Sequence, residues 1–484
     1  MAHSPPIEGS HLYRQVVNSV AHRIHPRWII AAISTALFCV QIDYFAMNLA
    51  LPRMASDLGS TTTDLQWVIS VYMLALGAFM AGRIGDIFGR RRTLLVGIAL
   101  FGIASVFCAI APSAAVVIAF RAAQGLGAAL IFPASVSVLT NTLPAEKSSH
   151  AIGLAYGIAG LGNAAGPLVG GLLTQTLGWR SVFWMLVPLS AISIVIGMKT
   201  IPETSDDTVP RRVDLSGLAL ITMGIGLFTF AFDRAPTWGW LSAPVIGVFL
   251  ASIALLATFV AVETRMRFPL IDLSLLRNPR FSLLVVAGTI ANIAYVVTVF
   301  LSTMNLQQVR GLDPLMAGLA FLGPSAGAAL GGPISGRLAS RNAPFAVMGV
   351  GCTAAAVSLG VLAASDNFAV YLAALTACGF TMGLVYAFTT VATQAVVAPE
   401  RAGEAAGVTL TSLVTLAGVG VAVSSSVLEV LQHHGLSTGH GIKVILAVSA
   451  ALLLPAGLAV LSIARVKTRP ASPEVTAQEQ VSPG

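Results

Sequence analysis

Long apolar segments, repeated along the whole chain, are the feature that most constrains this sequence. A helix that crosses a membrane needs about 20 mostly apolar residues, because the hydrocarbon is about 30 Å thick and a helix rises about 1.5 Å per residue. We count about fourteen such segments, with approximate limits 28–49, 65–82, 93–111, 114–140, 151–173, 181–199, 215–233, 241–262, 282–304, 315–336, 344–363, 367–392, 405–428 and 444–464. With 56% hydrophobic and 10% charged residues, the chain could not cover a water-soluble globule with polar surface. The sequence therefore predicts an all-α polytopic membrane protein.

The distribution of basic residues predicts an orientation. In a multi-span protein, Lys and Arg concentrate in the cytoplasmic connections. Few basic residues fall in the predicted outside loops: Arg53, Arg180, Arg234, Arg310 and Lys443. Arg121 lies within a span, and the rest of the 27 Lys and Arg residues fall on the inside. We therefore expect a cell-membrane protein with both termini in the cytoplasm, and we read the net charge of +7 as an orientation signal that implies no nucleic-acid partner.

Two long polar connections divide the chain into parts. We predict a cytoplasmic N-terminal segment, a first six-helix bundle, a linker with two inserted transmembrane helices, a second six-helix bundle and a disordered cytoplasmic tail, with limits 1–27, 28–200, 201–281, 282–465 and 466–484. The two inserted spans are expected at the periphery, and Asp233 with Arg234 is interpreted as a loop turn. Residues 336–341 repeat the basic loop at 82–92 in degenerate form, which fits two duplicated halves with a binding site between them.

Two ionisable residues stand inside predicted spans and away from their ends, Asp43 in the first and Arg121 in the fourth. Charged groups are costly in hydrocarbon and often mark functional sites. Counted along their helices, Asp43 lies about 8 Å and Arg121 about 10 Å below the predicted outer surface, so the two could meet. We interpret them as a proton-coupling or substrate site, because a movement that changes their contact could drive proton uptake and release. A structural ion pair that locks two helices is the alternative.

The connection between the second and third spans combines glycines, one acid and a basic cluster. We interpret it as a conformational latch at the cytoplasmic face, made of Gly82, Gly85, Asp86, Gly89, Arg90 and Arg91. The glycines permit tight turning, the acid can accept hydrogen bonds from a neighbouring helix N-terminus, and the Arg cluster holds the loop at the membrane surface. This loop resembles the signature loop of the major facilitator superfamily. The resemblance implies two six-helix bundles that rock about a central cavity.

Other segments resemble the fourteen-span drug:proton antiporter branch of that superfamily. The first span has Asp43 followed by Asn48-Leu49-Ala50-Leu51-Pro52, although Phe45 stands where that branch usually has Thr. The fourth span, at residues 121–129, resembles the motif associated with proton coupling. The resemblance therefore adds Asn48 and Gln124 to the proton-coupling or substrate site.

The fifth span resembles the motif that marks antiporters within the superfamily. Gly162, Gly166 and Gly170 recur every fourth residue and form a groove that permits close helix packing, and Gly171 follows them. Pro167 removes one backbone hydrogen bond and so offers a place to bend. We interpret this segment as the conformational hinge.

Together the resemblances imply a proton-coupled antiporter that exports small amphipathic compounds, such as drugs or antibiotics, by alternating access. An enzyme is not expected, because the chain contains no HExxH motif and no paired catalytic acids at helical spacing. A symporter or facilitator that imports a metabolite, and a non-transporting receptor on the same fold, are the alternatives. We expect a monomer without cofactor or metal, whose partners are a small-molecule substrate, protons and the lipid bilayer.

The predicted topology can be tested by cysteine labelling. An impermeant maleimide added outside the cell should label a Cys placed at Ser437, in the last outside loop, and should not label one at Ser472, in the tail. Labelling at Ser472 in intact cells would overturn the orientation.

The latch interpretation predicts that Asp86→Asn lowers transport while the protein still inserts and accumulates normally. Asp86 is the only acid in residues 82–92, and its loss should unbalance one of the two open states instead of removing a substrate contact. Transport at the wild-type rate, with matched protein levels in the membrane, would rule out the latch.

Overall fold

The computed structural model describes residues 26–80, 89–143, 145–203, 215–266, 273–339, 343–398 and 401–466. Within these ranges the long regular elements are helices and no strand occurs. The helices are α1 Pro26–Leu58, α2 Trp67–Met80, α3 Arg90–Ala109, α4 Ala114–Thr142, α5 Ala145–Thr176, α6 Arg180–Thr200, α7 Leu215–Trp238, α8 Ala243–Glu263, α9 Pro279–Met304, α10 in two parts Pro314–Ala320 and Leu322–Ala339, α11 Pro344–Ala364, α12 Phe368–Gln394, α13 Ala402–His433 and α14 Thr438–Val466.

The prediction of an all-helical, multi-pass membrane protein is confirmed, but the predicted count of fourteen crossings is not. In the described part of the chain, 12 helices are long and apolar enough to cross a membrane. The two exceptions are α2, which contributes only the shorter apolar stretch Trp67–Gly77, and α5, which is absent from the 12.

The boundaries of two helices differ from the predicted spans. Helix α1 continues past the predicted end at residue 49, through Pro52, to Leu58. Helix α2 begins at Trp67, because a turn at Gln66 separates it from the short helix Thr62–Leu65. These ends project beyond the predicted hydrocarbon, where hydropathy no longer reports on the helix.

Helix packing repeats between the first six and the last six long helices. In the first half, α1 packs on α5 and α6, α3 packs on α4 and α6, and α2 packs on α4. The corresponding helices of the second half make the same pairs: α9 with α13 and α14, α11 with α12 and α14, and α10 with α12. This repetition is what a duplicated bundle would produce. The predicted domain limits themselves stay a prediction.

The two halves meet mainly where α2 packs on α13 and α5 packs on α10, and α1 also contacts both α9 and α10. Of the inserted helices, α8 packs on α7 and exposes large apolar side chains such as Leu250 and Ile253, as a lipid-facing helix would. Helix α7 instead also contacts both α2 and α13. Both inserted helices were expected at the periphery. This holds for α8, whereas α7 lies against the seam between the halves.

Glycines on α5 bring this helix close to α1. A Cβ atom built on Gly166 would lie 2.6 Å from the Phe45 Cβ, and one built on Gly170 would lie 2.6 Å from the Ala46 carbonyl oxygen. A Cβ on Gly162 would lie 3.0 Å from the Phe38 carbonyl oxygen. Side chains at these positions would force the two helices apart, so the predicted groove is the packing surface for α1.

A different part of α5 faces α10 of the other half. Gly171 lies against the Pro314 carbonyl, and a Cβ atom built on Gly318 would lie 2.6 Å from the Pro167 carbonyl oxygen. Helix α5 is continuous through Pro167. It therefore connects α1 to the opposite half, which is the position a hinge would need, and the hinge role stays a prediction.

The α1–α5 contact predicts a difference between two glycines of one helix. Gly166→Val should lower the unfolding temperature of the purified protein, because overpacking a close contact costs roughly 1–3 kcal/mol. Gly160→Val is the matched control, since a Cβ atom there meets nothing within 4 Å. Equal unfolding temperatures for the two variants in detergent would contradict the close packing.

Candidate functional site

Asp43 and Arg121, the two charges predicted inside spans, are in direct contact. The Arg121 Nη1 atom donates a hydrogen bond to Asp43 Oδ2 at 2.6 Å, and both side chains are 0% exposed. Helix α1 contributes the carboxylate and α4 contributes the guanidinium. A buried ion pair costs several kcal/mol per ion in desolvation, and only close, well-directed contacts compensate for it. The two side chains that the depth estimate placed at one level therefore meet, and their role as a coupling pair stays a prediction.

Further groups from three helices hold the guanidinium. Arg121 Nε donates to the Val68 carbonyl of α2 at 2.9 Å, and Nη1 also lies 2.9 Å from Gln124 Oε1. Gln124 Nε2 in turn donates to Ser105 Oγ of α3 at 2.7 Å. Gln124, predicted from the fourth-span motif, thus orients Arg121 within α4 and connects it to α3.

An aromatic ring from α2 covers the guanidinium. The Cζ atom of Arg121 lies 4.1 Å from the centre of the Tyr72 ring, a cation–π distance, and both residues are fully buried. The sequence analysis missed Tyr72. Its one sequence signal is the helical spacing from Val68, which places the ring one turn beyond the carbonyl that accepts the Arg121 hydrogen bond.

Several buried polar atoms of this cluster have no hydrogen-bond partner among the described residues: Asp43 Oδ1, Arg121 Nη2 and Tyr72 Oη. Buried polar groups are nearly always paired, and three such atoms in one cluster make it the candidate site.

Asn48 is not brought into the cluster. Its Nδ2 atom donates to the Tyr44 carbonyl of its own helix at 3.0 Å, and the side chain is buried. No described contact joins it to Asp43 or Arg121. Its predicted share in the site stays a prediction.

The predicted latch lies largely outside the described residues, which exclude Gly82, Gly85 and Asp86. Gly89 precedes α3 with a φ of 99°, in the left-handed region that favours glycine. Arg91 donates its backbone N–H to Glu203 Oε1 at 3.1 Å, and its guanidinium donates to the Met198 carbonyl at 2.6 Å.

Glu203, just after α6, is therefore a contact of the basic cluster that the sequence analysis missed. Arg92 Nε also lies 3.5 Å from Glu203 Oε2. The glutamate follows Pro202 in a polar connection, and nothing in that pattern indicates which loop it meets.

The interpretation of Asp233 and Arg234 as a loop turn is wrong. Asp233 lies within α7, is 8% exposed and accepts a hydrogen bond from Gln66 Nε2 at 3.2 Å. Hydropathy placed the end of this span at residue 233, whereas the helix continues to Trp238 and turns the carboxylate toward α2.

Comparison with known proteins gives consistent matches. The family model for the Major Facilitator Superfamily matches residues 33–422. The chain is 34% identical to multidrug resistance protein Stp of Mycobacterium tuberculosis (strain CDC 1551 / Oshkosh), over 82% of this chain and 75% of that protein. It is 32% identical to puromycin resistance protein pur8 of Streptomyces alboniger, over 94% of each chain.

Among solved structures, a crystal structure of the peptide transporter POT superimposes with a TM-score of 0.68 at 15% identity, over 94% of this chain and 99% of that chain. At this identity the likeness shows the fold alone. Three findings agree with one another: the family match across most of the sequence, the shared helical fold and the resistance proteins among the relatives. The chain therefore belongs to the major facilitator superfamily and is a multi-pass membrane transporter of small molecules, not an enzyme.

Proposed function

We propose that this transporter is a proton-coupled antiporter that exports small amphipathic compounds, with Asp43 and Arg121 as its coupling pair. The observation that carries the proposal is the fully buried contact between the two side chains, together with the unpartnered Asp43 Oδ1. Multidrug and puromycin resistance among the relatives supports export as the direction of transport.

Proton coupling follows from the electrostatics of the pair. In a site shielded from water, the proton affinity of a carboxylate depends strongly on the distance to a neighbouring positive charge. Asp43 stands on α1 and Arg121 on α4, so a shift of one helix against the other changes that distance and with it the proton affinity of Asp43. A conformational change can thus load or release a proton.

The substrate class is inferred from a small cavity between the two halves. It is lined on α1 by Phe45 and on the second half by aromatic and apolar groups that include Tyr295, Phe321 and Leu375. The ring centres of Phe45 and Tyr295 lie 6.1 Å apart. The lining also includes Thr298 and Ser325, and no acid or base lines the cavity in the described part of the chain, which favours neutral or amphipathic compounds over multiply charged ones.

Helix α1 separates the two sites. Asp43 and Phe45 project from different sides of α1, because successive residues of a helix are about 100° apart. A substrate bound against Phe45 and a proton bound to Asp43 therefore act on the same helix from different sides. Through this helix, binding of the substrate can favour release of the proton, and the reverse.

The proposal includes the finer topology. We infer fourteen crossings with both termini in the cytoplasm, and we infer a monomer that alternates between inward-open and outward-open forms. The latch formed by residues 82–91 would stabilise one of these forms, and the glycine-rich segment of α5 would act as the hinge. The packing of α5 against both α1 and α10 supports the hinge.

The direct test is transport by purified protein in proteoliposomes with an imposed pH gradient, with puromycin and ethidium as probes. Asp43→Asn should abolish gradient-driven export, because an amide cannot carry the proton between the two states. Arg121→Lys should lower it at least about tenfold, because an ammonium lacks the planar fork that contacts Asp43, Val68 and Gln124 together.

Asp366→Asn is the matched control, because this carboxylate is exposed on the loop between α11 and α12. Lys443 donates a hydrogen bond to it and holds the pKa of the Asp366 carboxyl below its usual range. This variant should transport as the wild type does. Export by the Asp43→Asn protein in proportion to the pH gradient would show that coupling lies elsewhere.

A further inference from the structure

The inserted helix α7 makes a buried polar contact with the beginning of α2. Gln66 Nε2 donates a hydrogen bond to Asp233 Oδ1 at 3.2 Å. Arg234 Nε lies 3.3 Å from Asp233 Oδ2. Asp233 and Gln66 are both buried, at 8% and 0% exposure, so their hydrogen bonds do not compete with bulk water.

The start of α2 lacks the support of a continuous helix. The short helix Thr62–Leu65 ends before Gln66, and α2 begins only at Trp67. The Gln66 carbonyl accepts backbone hydrogen bonds from the N–H groups of Ile69 and Ser70, and side-chain contacts also hold this turn. The Ser70 hydroxyl lies 2.9 Å from Gln66 Oε1 and 3.0 Å from the Gly418 carbonyl of α13. The Gln66 amide therefore connects α7 to α2 at the α2–α13 seam.

The same turn of α2 also holds Arg121. The Val68 carbonyl accepts the hydrogen bond from Arg121 Nε, and one turn later the Tyr72 ring covers the guanidinium. Gln66, which contacts Asp233, lies two residues before Val68 in the chain. A displacement of this turn would move the carbonyl and the ring that keep Arg121 on Asp43.

Helix α7 is attached to the other half of the molecule as well. Ser426 of α13 donates a hydrogen bond to the Phe232 carbonyl at 2.6 Å. Residues 232 and 233 of α7 thus contact α13 and the start of α2 within one turn. A movement of α13 relative to α2 must therefore act on the Asp233 contacts.

We propose that Asp233 is a positioning residue for the coupling pair: through Gln66 it fixes the first turn of α2, and thereby the groups that hold Arg121 on Asp43. The inserted helix pair then takes part in coupling from a position outside the two six-helix bundles. This inference rests on the proposed antiport, since it concerns how well the proton site is coupled to transport.

The test compares two activities of the same proteoliposomes, export of puromycin and ethidium driven by a pH gradient, and exchange of the same probe at equal pH on both sides. Exchange needs the cavity and alternating access but no net proton movement. Asp233→Leu should lower gradient-driven export at least about tenfold and leave exchange within about twofold of wild type, because it removes the buried hydrogen bond that Gln66 donates to the carboxylate. Gln66→Leu should reproduce this, and the double variant should be no worse than either single one.

Two conservative variants provide the controls. Asp233→Asn keeps an oxygen that accepts from Gln66, and should retain at least about half of the driven export. Arg234→Gln alters the more exposed neighbour, which makes no described contact with α2, and should match wild type.

Three outcomes would contradict the proposals in different ways. If wild-type protein exports the probes under the gradient and Asp233→Leu exports them equally well, only the positioning role is overturned. An equal fall of driven export and exchange in Asp233→Leu shows general damage to the fold and also overturns it. A wild-type protein that exports neither probe under the gradient overturns the proposed antiport, and the positioning role with it.

Discussion

The contact between Asp43 and Arg121 is the constraint on which the rest of the structure depends. Two charges that are 0% exposed are tolerated only where other groups hold them in place. The guanidinium has such groups: the Val68 carbonyl, the Gln124 amide and the Tyr72 ring. They come from α2 and α4, so the arrangement of these helices around α1 is set by the pair as well as by apolar packing.

Helix α1 connects this pair to the remainder of the molecule. Its contact with α5 depends on glycines such as Gly166, which permit an approach that no larger residue would allow. Its Phe45 side chain lines the cavity between the halves. On this account, binding of a compound in the cavity and protonation of Asp43 communicate through the position of one helix, without a direct contact between substrate and proton.

Much of this architecture could be predicted from the sequence, for identifiable reasons. The fixed rise of a helix was sufficient to place Asp43 and Arg121 at one level, and recurring glycines were sufficient to indicate a close helix contact. What could not be predicted depends on partners distant in the chain. Tyr72 stands in an apolar span, and its neighbours in the sequence give no sign that a guanidinium lies over its ring. Asp233 lies at the end of a predicted span, so its contact with Gln66 could not be expected.

The helix ends explain other differences. Hydropathy ended the first span well before Leu58 and gave no sign of the break at Gln66, because both lie where polar and apolar residues alternate near the predicted membrane surface. That break is also where α7, α2 and α13 meet, so the feature that hydropathy missed is the one that attaches the inserted helix to the coupling pair.

The most direct test of the central claim is a measurement of proton release by purified protein in weakly buffered solution when puromycin or ethidium binds. If substrate and proton act in opposition through α1, wild-type protein should release protons as the compound binds, and Asp43→Asn should bind the compound with no release. Release of the same number of protons by Asp43→Asn would contradict the account, because the titrating group would then be another residue.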